Sequence, residues 1–260
     1  PNTDVNAFIH KFNQELQALL KMETIPPAKA AAAAEDAVDT IHELVRRVGV
    51  TDEVQEVVKS GVAVTMKAMG DFPQLSDILK NLENNKEKYI ASHSMLLAHI
   101  ACSIAVSMDW YSESTFEKLT WAAFLHDISL EDNDLCAVKS MEEFEKKYKG
   151  VFNAKQIQEY KQHVDKSVLL LGKFKELPAE VAKIISQHHE HPYGTGFPNA
   201  LTQNYITPLA ALFIVAHDVV DYVFDHDNKF NAEDFLTENI KKYGQGNFKK
   251  AAKGLATMAL

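Results

Sequence analysis

Apolar residues recur every three or four positions through almost the whole chain, and the alternation that marks a half-buried strand is missing. "EDAVDTIHELVRRV" sets Val38, Ile41, Val45 and Val48 on one stripe, and Gly49 stops it. "NAFIHKFNQELQALLKM" reads as an earlier helix ending before Pro26-Pro27, and "TDEVQEVVKSGVAVTMKAM" as a later one closed by "GDFP". The run "AKAAAAAEDA" has high helix propensity and is not a linker. Further helices are expected near 89–108, 114–127, 154–172, 178–189, 207–224, 232–242 and 247–258. Ser114 and Glu117 have capping-box spacing for the second of these, and Pro178 sits at a first-turn position for the fourth. The fold class is all-α: a helical bundle with a small helical N-terminal region over 1–85 and a functional domain over 86–260.

The boundary follows the histidines, since nine of eleven lie between His93 and His226. His10 and His42, in the N-terminal helices, read as surface or packing residues. In "YIASHSMLLAHI", His93 shares a stripe with Ile90, Leu97 and Ile100; in "STFEKLTWAAFLHD", His126 shares one with Phe116, Leu119 and Ala123, and Asp127 follows. His163 lines up with Tyr160 and Ser167, His188 with Val181, Ile184 and Ile185, and Asp218 with Ala211, Ile214 and Asp221. One such residue alone is a hydrogen-bonded core group. Five helices each sending His or Asp inward point to a metal centre, because buried carboxylates without partners are costly. Imidazoles with a few carboxylates suit Fe, Mn, Zn, Ni or Co rather than Mg or Ca. His188 and His189 reach one centre only if their helix ends there, as the turn residues after them allow. Six or seven ligands exceed one tetrahedral site, so two metals sharing a carboxylate are expected.

A net charge of −9 argues against a nucleic-acid polymer as partner. A small anion can still bind where metals invert the local field. The run "YIASHSMLLAHIACSIAVSM" (89–108) is long and apolar, but His93, His99 and four serines make it a buried helix rather than a membrane span. Cys102 and Cys136 lack CxxC spacing and read as reduced thiols of a cytosolic protein. No segment looks like a signal peptide; the chain begins at Pro1, which leaves a preceding portion and its targeting open.

The ordered set His93, "HD" at 126–127, His163, "HHE" at 188–190, "GTGFP" at 194–198 and Asp218 resembles the HD-GYP branch of the HD phosphohydrolase superfamily, over roughly residues 86 to 225. The resemblance implies a bacterial, cytoplasmic, helical enzyme that hydrolyses cyclic di-GMP or a related nucleotide with two transition-metal ions. Iron is the first expectation, manganese the next, with zinc or nickel as alternatives. It implies that Asp127 bridges the metals and positions a hydroxide between them. His93, His126 and Asp218 would hold one ion, and His163, His188 and His189 the other. Gly194, Gly196, Phe197 and Lys229 are the expected substrate contacts, and the 194–198 loop is a candidate surface for a signalling-protein partner. Glu190 is expected to support the ligands from behind, and His99, His191, His217 and His226 carry no expected role.

Several positions depart from the family pattern. Phe197 stands for the name-giving tyrosine, Leu130 for a lysine, Asp227 and Phe230 for a basic pair, and Tyr193 for an aspartate. Tyr89 stands where members with a third metal carry glutamate, which favours two ions. Two other function classes stay open beside the phosphodiesterase: a divergent binder of cyclic dinucleotides or of a partner, and an HD-type enzyme cleaving a nucleotide monoester. A hemerythrin-like oxygen carrier is disfavoured, because its HxxxE and HxxxH pairs are missing.

Overall fold

Twelve helices and no strand are present among the described residues, which are 2–69 and 88–258 of the computed structural model. They are α1 (Asn2–Leu20), α2 (Pro27–Val48), α3 (Asp52–Met69), α4 (Tyr89–Ser107), α5 (Glu113–Leu125), α6 (Asn133–Cys136), α7 (Met141–Lys146), α8 (Ala154–Leu171), α9 (Val181–Ile185), α10 (Pro208–Asp225), α11 (Ala232–Asn239) and α12 (Gly246–Thr257). The fold is all-α, as the apolar periodicity predicts. The expected boundary at 85/86 and the "GDFP" stop lie outside the described residues.

Helix α4 is the centre of the bundle. Helices α2, α5, α10 and α12 all pack on it, and Leu96, Leu97, Ile100 and Ile104 are fully buried. Each such side chain contributes about 1.5–3 kcal/mol by leaving water. It is a described helix long and apolar enough to cross a membrane, and most of it is buried inside the protein, as its histidines and serines predict. One continuous apolar core joins α2 and α3 to the histidine-bearing helices through Val38, Ile41, Val57, Leu97, Phe124 and Phe213. Gly61 makes the α2–α3 crossing close, since a methyl group there would press on Ala37 Cβ. A second, smaller core gathers Leu130, Leu135, Val138, Phe144 and Tyr160 on the other side of the site.

Local signals set most helix ends. Pro27 occupies the first turn of α2, and Asn153 and Gln156 form a capping box on α8. Two expectations are corrected. Helix α5 is capped by Ser112, whose side chain accepts from the Thr115 amide, so the Ser114–Glu117 box does not form. The helix expected over 178–189 shrinks to Val181–Ile185. Its cap residue Glu180 is left-handed (φ 74°), and Pro178 falls outside it. The short helices α6 and α7 occupy the segment between α5 and α8, where none is expected from the periodicity.

Candidate metal centre

Seven side chains from three helices and two helix-end turns converge in the interior. His93 comes from α4, His126 directly follows α5, and His217 comes from α10; their ligand-capable nitrogens lie within 4.8 Å of one another. His163 comes from α8, and His188 and His189 from the turn after α9. Their nitrogens and an Asp127 oxygen form a second group within the same limit. The two oxygens of Asp127 divide between the groups. Oδ2 is 3.4 Å from His126 Nε2, while Oδ1 is 3.3 Å from His163 Nε2 and 3.7 Å from His188 Nε2.

The backbone fixes which nitrogen faces the centre. The Nδ1 atoms of His126, His163 and His188 lie 2.9, 2.6 and 2.7 Å from the carbonyls of Ala123, Tyr160 and Ile185. Each carbonyl is three residues back, one helical turn below the ring. A carbonyl only accepts, so each Nδ1 carries the hydrogen and each Nε2 turns a lone pair inward. The Nε2 atoms of His163 and His188 then face each other at 3.2 Å as two acceptors. Neutral imidazoles in that arrangement cannot hydrogen-bond to one another. Nε2 of His93, Nε2 of His126 and Oδ1 of Asp127 are also buried with no hydrogen-bond partner in the protein. Each such orphan costs about 1–3 kcal/mol unless something fills the gap.

A divalent ion fits that gap. With ligand bonds of about 2.1 Å, neighbouring donors stand about 3.0 Å apart at a right angle and about 3.6 Å apart at 120°. The separations of 3.2, 3.3 and 3.4 Å fall in this range, and the His188–Asp127 separation of 3.7 Å lies just above it. Burial favours the neutral form of His126, His163 and His189, the form that metal binding requires. It pushes His163 down to about 4 and His126 and His189 well below the usual imidazole range. Burial alone would raise the Asp127 carboxyl, but the facing imidazoles, His126 first, hold it well below the carboxylate range. Burial would also lower His217, yet Asp221 outweighs it and raises the imidazole.

The structure brings His93, His126, Asp127, His163, His188 and His189 together, but not Asp218. The Asp218 carboxylate accepts from Lys242 Nζ at 2.6 Å and from the Tyr243 hydroxyl, on the side of α10 that receives the C-terminal segment. The residues of α10 that face the centre are His217 and Asp221, one turn apart. Asp221 Oδ1 is 3.5 Å from His93 Nε2, and its Oδ2 is 3.4 Å from His217 Nδ1. His217, given no role on the sequence pattern, is therefore buried in the cluster. The HxxxD spacing in "HDVVD" is the signal that would have paired these two residues.

The loop after the histidine pair is built to hold it. Glu190 accepts from the amides of Asn199 (2.8 Å) and Leu201 (2.6 Å), closing the loop from behind. The Phe197 amide donates to the His189 carbonyl at 3.0 Å, and the Phe197 ring stacks on the His189 imidazole at 4.7 Å. Gly196 passes so near that a Cβ would overlap the His189 carbonyl oxygen and the His191 nitrogen, while Gly194 is left-handed at φ 71°. These two glycines shape the loop. Leu130 is buried in the smaller core, and Phe197 packs against that core. Tyr89 lays its ring over His93 at 5.4 Å. Lys229 and Asp227 are exposed in the turn beyond α10, and Phe230 packs on Tyr222 and Phe235.

The family model of the HD domain matches residues 74–225, and the chain belongs to the HD domain family. That membership and the buried His/Asp groups together support a metal-dependent HD phosphohydrolase. Among solved structures the chain is similar to Bd1817, an HDG"Y"P protein from Bdellovibrio bacteriovorus. The TM-score is 0.67 at 16% identity, over 98% of this chain and 80% of that one. At that identity the likeness speaks for the fold. No curated protein matches the chain.

Proposed function

We propose that this protein is a phosphodiesterase that hydrolyses cyclic di-GMP or a related nucleotide at a binuclear centre. The observation that carries the reading is Asp127, a buried carboxylate with one oxygen toward His126 and the other toward His163 and His188. When bound, two divalent ions supply an acidified water and neutralise charge on the phosphoryl oxygens. Iron or manganese suits the mixed imidazole–carboxylate donors, and zinc or nickel also fits them.

The residues divide the work. Asp127 spans the two groups and holds them at one separation. The backbone carbonyls of Ala123, Tyr160 and Ile185 keep three imidazoles turned inward, so little reorganisation is left for the moment of reaction. Tyr160 and Phe197, packed in the smaller apolar core with Leu130, lie against His163 and keep bulk water from that ligand. His189 is the least buried of the metal-facing histidines, so the substrate approaches past it and the Phe197 ring. The 194–198 loop, with Gly194, Gly196 and Phe197, lies at that approach, and Lys229 is a more distant cation for the nucleotide.

A second reading is a binding protein that keeps its metals and signals through a partner at the 194–198 loop. It is favoured by Leu130 and Phe197, which give an apolar wall where an amine and a phenol would grip phosphate. Incubating manganese- or iron-loaded protein with a panel of cyclic dinucleotides and phosphomonoesters, with product analysis, decides between them. Metal-dependent cleavage of a cyclic dinucleotide is the expected result. Tight binding without turnover selects the second reading, and cleavage of monoesters alone refutes the proposed substrate.

A further inference from the structure

Helix α10 does not offer Asp218 to the centre; it offers a pair one turn apart, His217 and Asp221. The Asp221 carboxylate lies between two imidazoles of the first group, 3.5 Å from His93 Nε2 and 3.4 Å from His217 Nδ1. Both distances fall in the range that two ligands of one ion adopt, about 3.0–3.6 Å for bonds of about 2.1 Å. Asp221 is itself buried. Its backbone is fastened from outside, where Lys139 Nζ donates to the Asp221 carbonyl at 2.6 Å. A buried carboxylate wedged between two inward imidazoles, one of which has an orphaned Nε2, is placed as a ligand.

We infer that Asp221, together with His217, replaces Asp218 as the α10 contribution to the first ion, and that the two ions are therefore held unequally. The inference rests on the two-ion reading proposed above. The first position would draw on His93, His126, His217, Asp221 and one oxygen of Asp127, every one of them buried. The second would draw on His163, His188, His189 and the other oxygen of Asp127. A first-row divalent ion takes up to six donors, so the second position keeps more places open for water and substrate. It is also the position with a partly exposed ligand, His189. The first ion is the tight, closed one; the second is labile and meets the substrate.

Cobalt(II) titration of chelator-stripped protein, followed by visible absorption and by chelator competition, tests this without any activity measurement. The wild-type protein should take up two ions in two steps of unequal affinity. Asp221→Asn, which keeps the side chain's shape, and Asp221→Ala should each weaken the tight step by roughly a hundredfold and leave the weaker step within about threefold. His189→Ala should do the reverse. Asp218→Ala should leave both steps unchanged and lower only the melting temperature. Circular dichroism of each stripped variant confirms that it is folded. If the wild-type protein binds two ions and both Asp221 variants keep the tight step, the assignment is wrong; loss of the tight step in Asp218→Ala also overturns it. If the wild-type protein binds no cobalt, the two-ion reading falls and this inference falls with it.

Discussion

Stripping the metals should leave a protein that fails in mild acid, and His163 gives the size of the effect. Its imidazole is fully buried, with Nδ1 on the Tyr160 carbonyl. Burial is the largest influence and lowers it; the charge of Asp127 and the Tyr160 carbonyl pull the other way without overcoming it. The unfolded chain accepts a proton on this residue near pH 6.5, whereas the folded chain refuses it until about pH 4. The folded state is thus fully favoured above pH 6.5, and the advantage is lost as the pH falls through the window between those values. One pH unit corresponds to about 1.4 kcal/mol, so His163 alone removes about 2 kcal/mol by pH 5 and about 3 kcal/mol in full. His93, His126 and His189 are displaced in the same direction. Urea denaturation of the chelator-treated protein at pH 7, 6 and 5 reads the slope, and His163→Gln should flatten it by about one proton. Loading with metal should hold the midpoints level further into acid, because bound imidazoles resist protonation. A metal-free protein equally stable at pH 7 and pH 5, or a His163→Gln variant with an unchanged slope, would refute the argument.

The same geometry sets three further outcomes. Asp127→Ala should release both ions while His163→Ala releases mainly the second, as counted by elemental analysis; full occupancy in Asp127→Ala would show that the carboxylate does not span the centre. Gly196→Ala should cost about 3 kcal/mol and weaken metal binding at His189, because the added methyl overlaps the His189 carbonyl; a thermal melt with cobalt titration checks both. Leu130→Lys, which restores the residue usual in the HD-GYP family, should destabilise the fold by about 3 kcal/mol instead of improving turnover. Its ammonium would enter the apolar cluster of Leu135, Phe144 and Tyr160, and a midpoint equal to wild type in urea would contradict that.

The histidines legible in the sequence are those that interrupt an apolar stripe. His93, His126, His163 and His188 each stand where the helical pattern demands an inward residue, and the structure turns them inward. Helix α10 resisted the same logic for a physical reason. From Ala210 to Val220 it is buried almost all round, so no apolar stripe singles out one face, and periodicity cannot rank His217, Asp218 and Asp221. The choice is made by the groups packed on each side: the other histidines on one, Lys242 and Tyr243 on the other. The α5 start failed in a similar way. Ser112 and Ser114 are of the same cap-favouring residue type, and only the backbone path shows that Ser112 meets an amide. The extent of α9 is not legible in the pattern, because Val181, Ile184, Ile185 and His188 suit a single turn as well as a long helix.

The anchoring of Asp218 by Lys242 and Tyr243 bears on how small a working unit of this protein can be. The family match ends at residue 225, which invites a cut there. Such a shortened chain would strip both partners from the Asp218 carboxylate. It would also uncover α4 where Gly254 of α12 sits against Met108 and Ile104, and leave Tyr193 without the Lys241 carbonyl that receives its hydroxyl. The helix that carries His217 and Asp221 is braced by the segment C-terminal to it. The smallest fragment that keeps the centre rigid therefore runs through the end of α12 at Thr257, well past residue 225, where the match to the HD domain model ends.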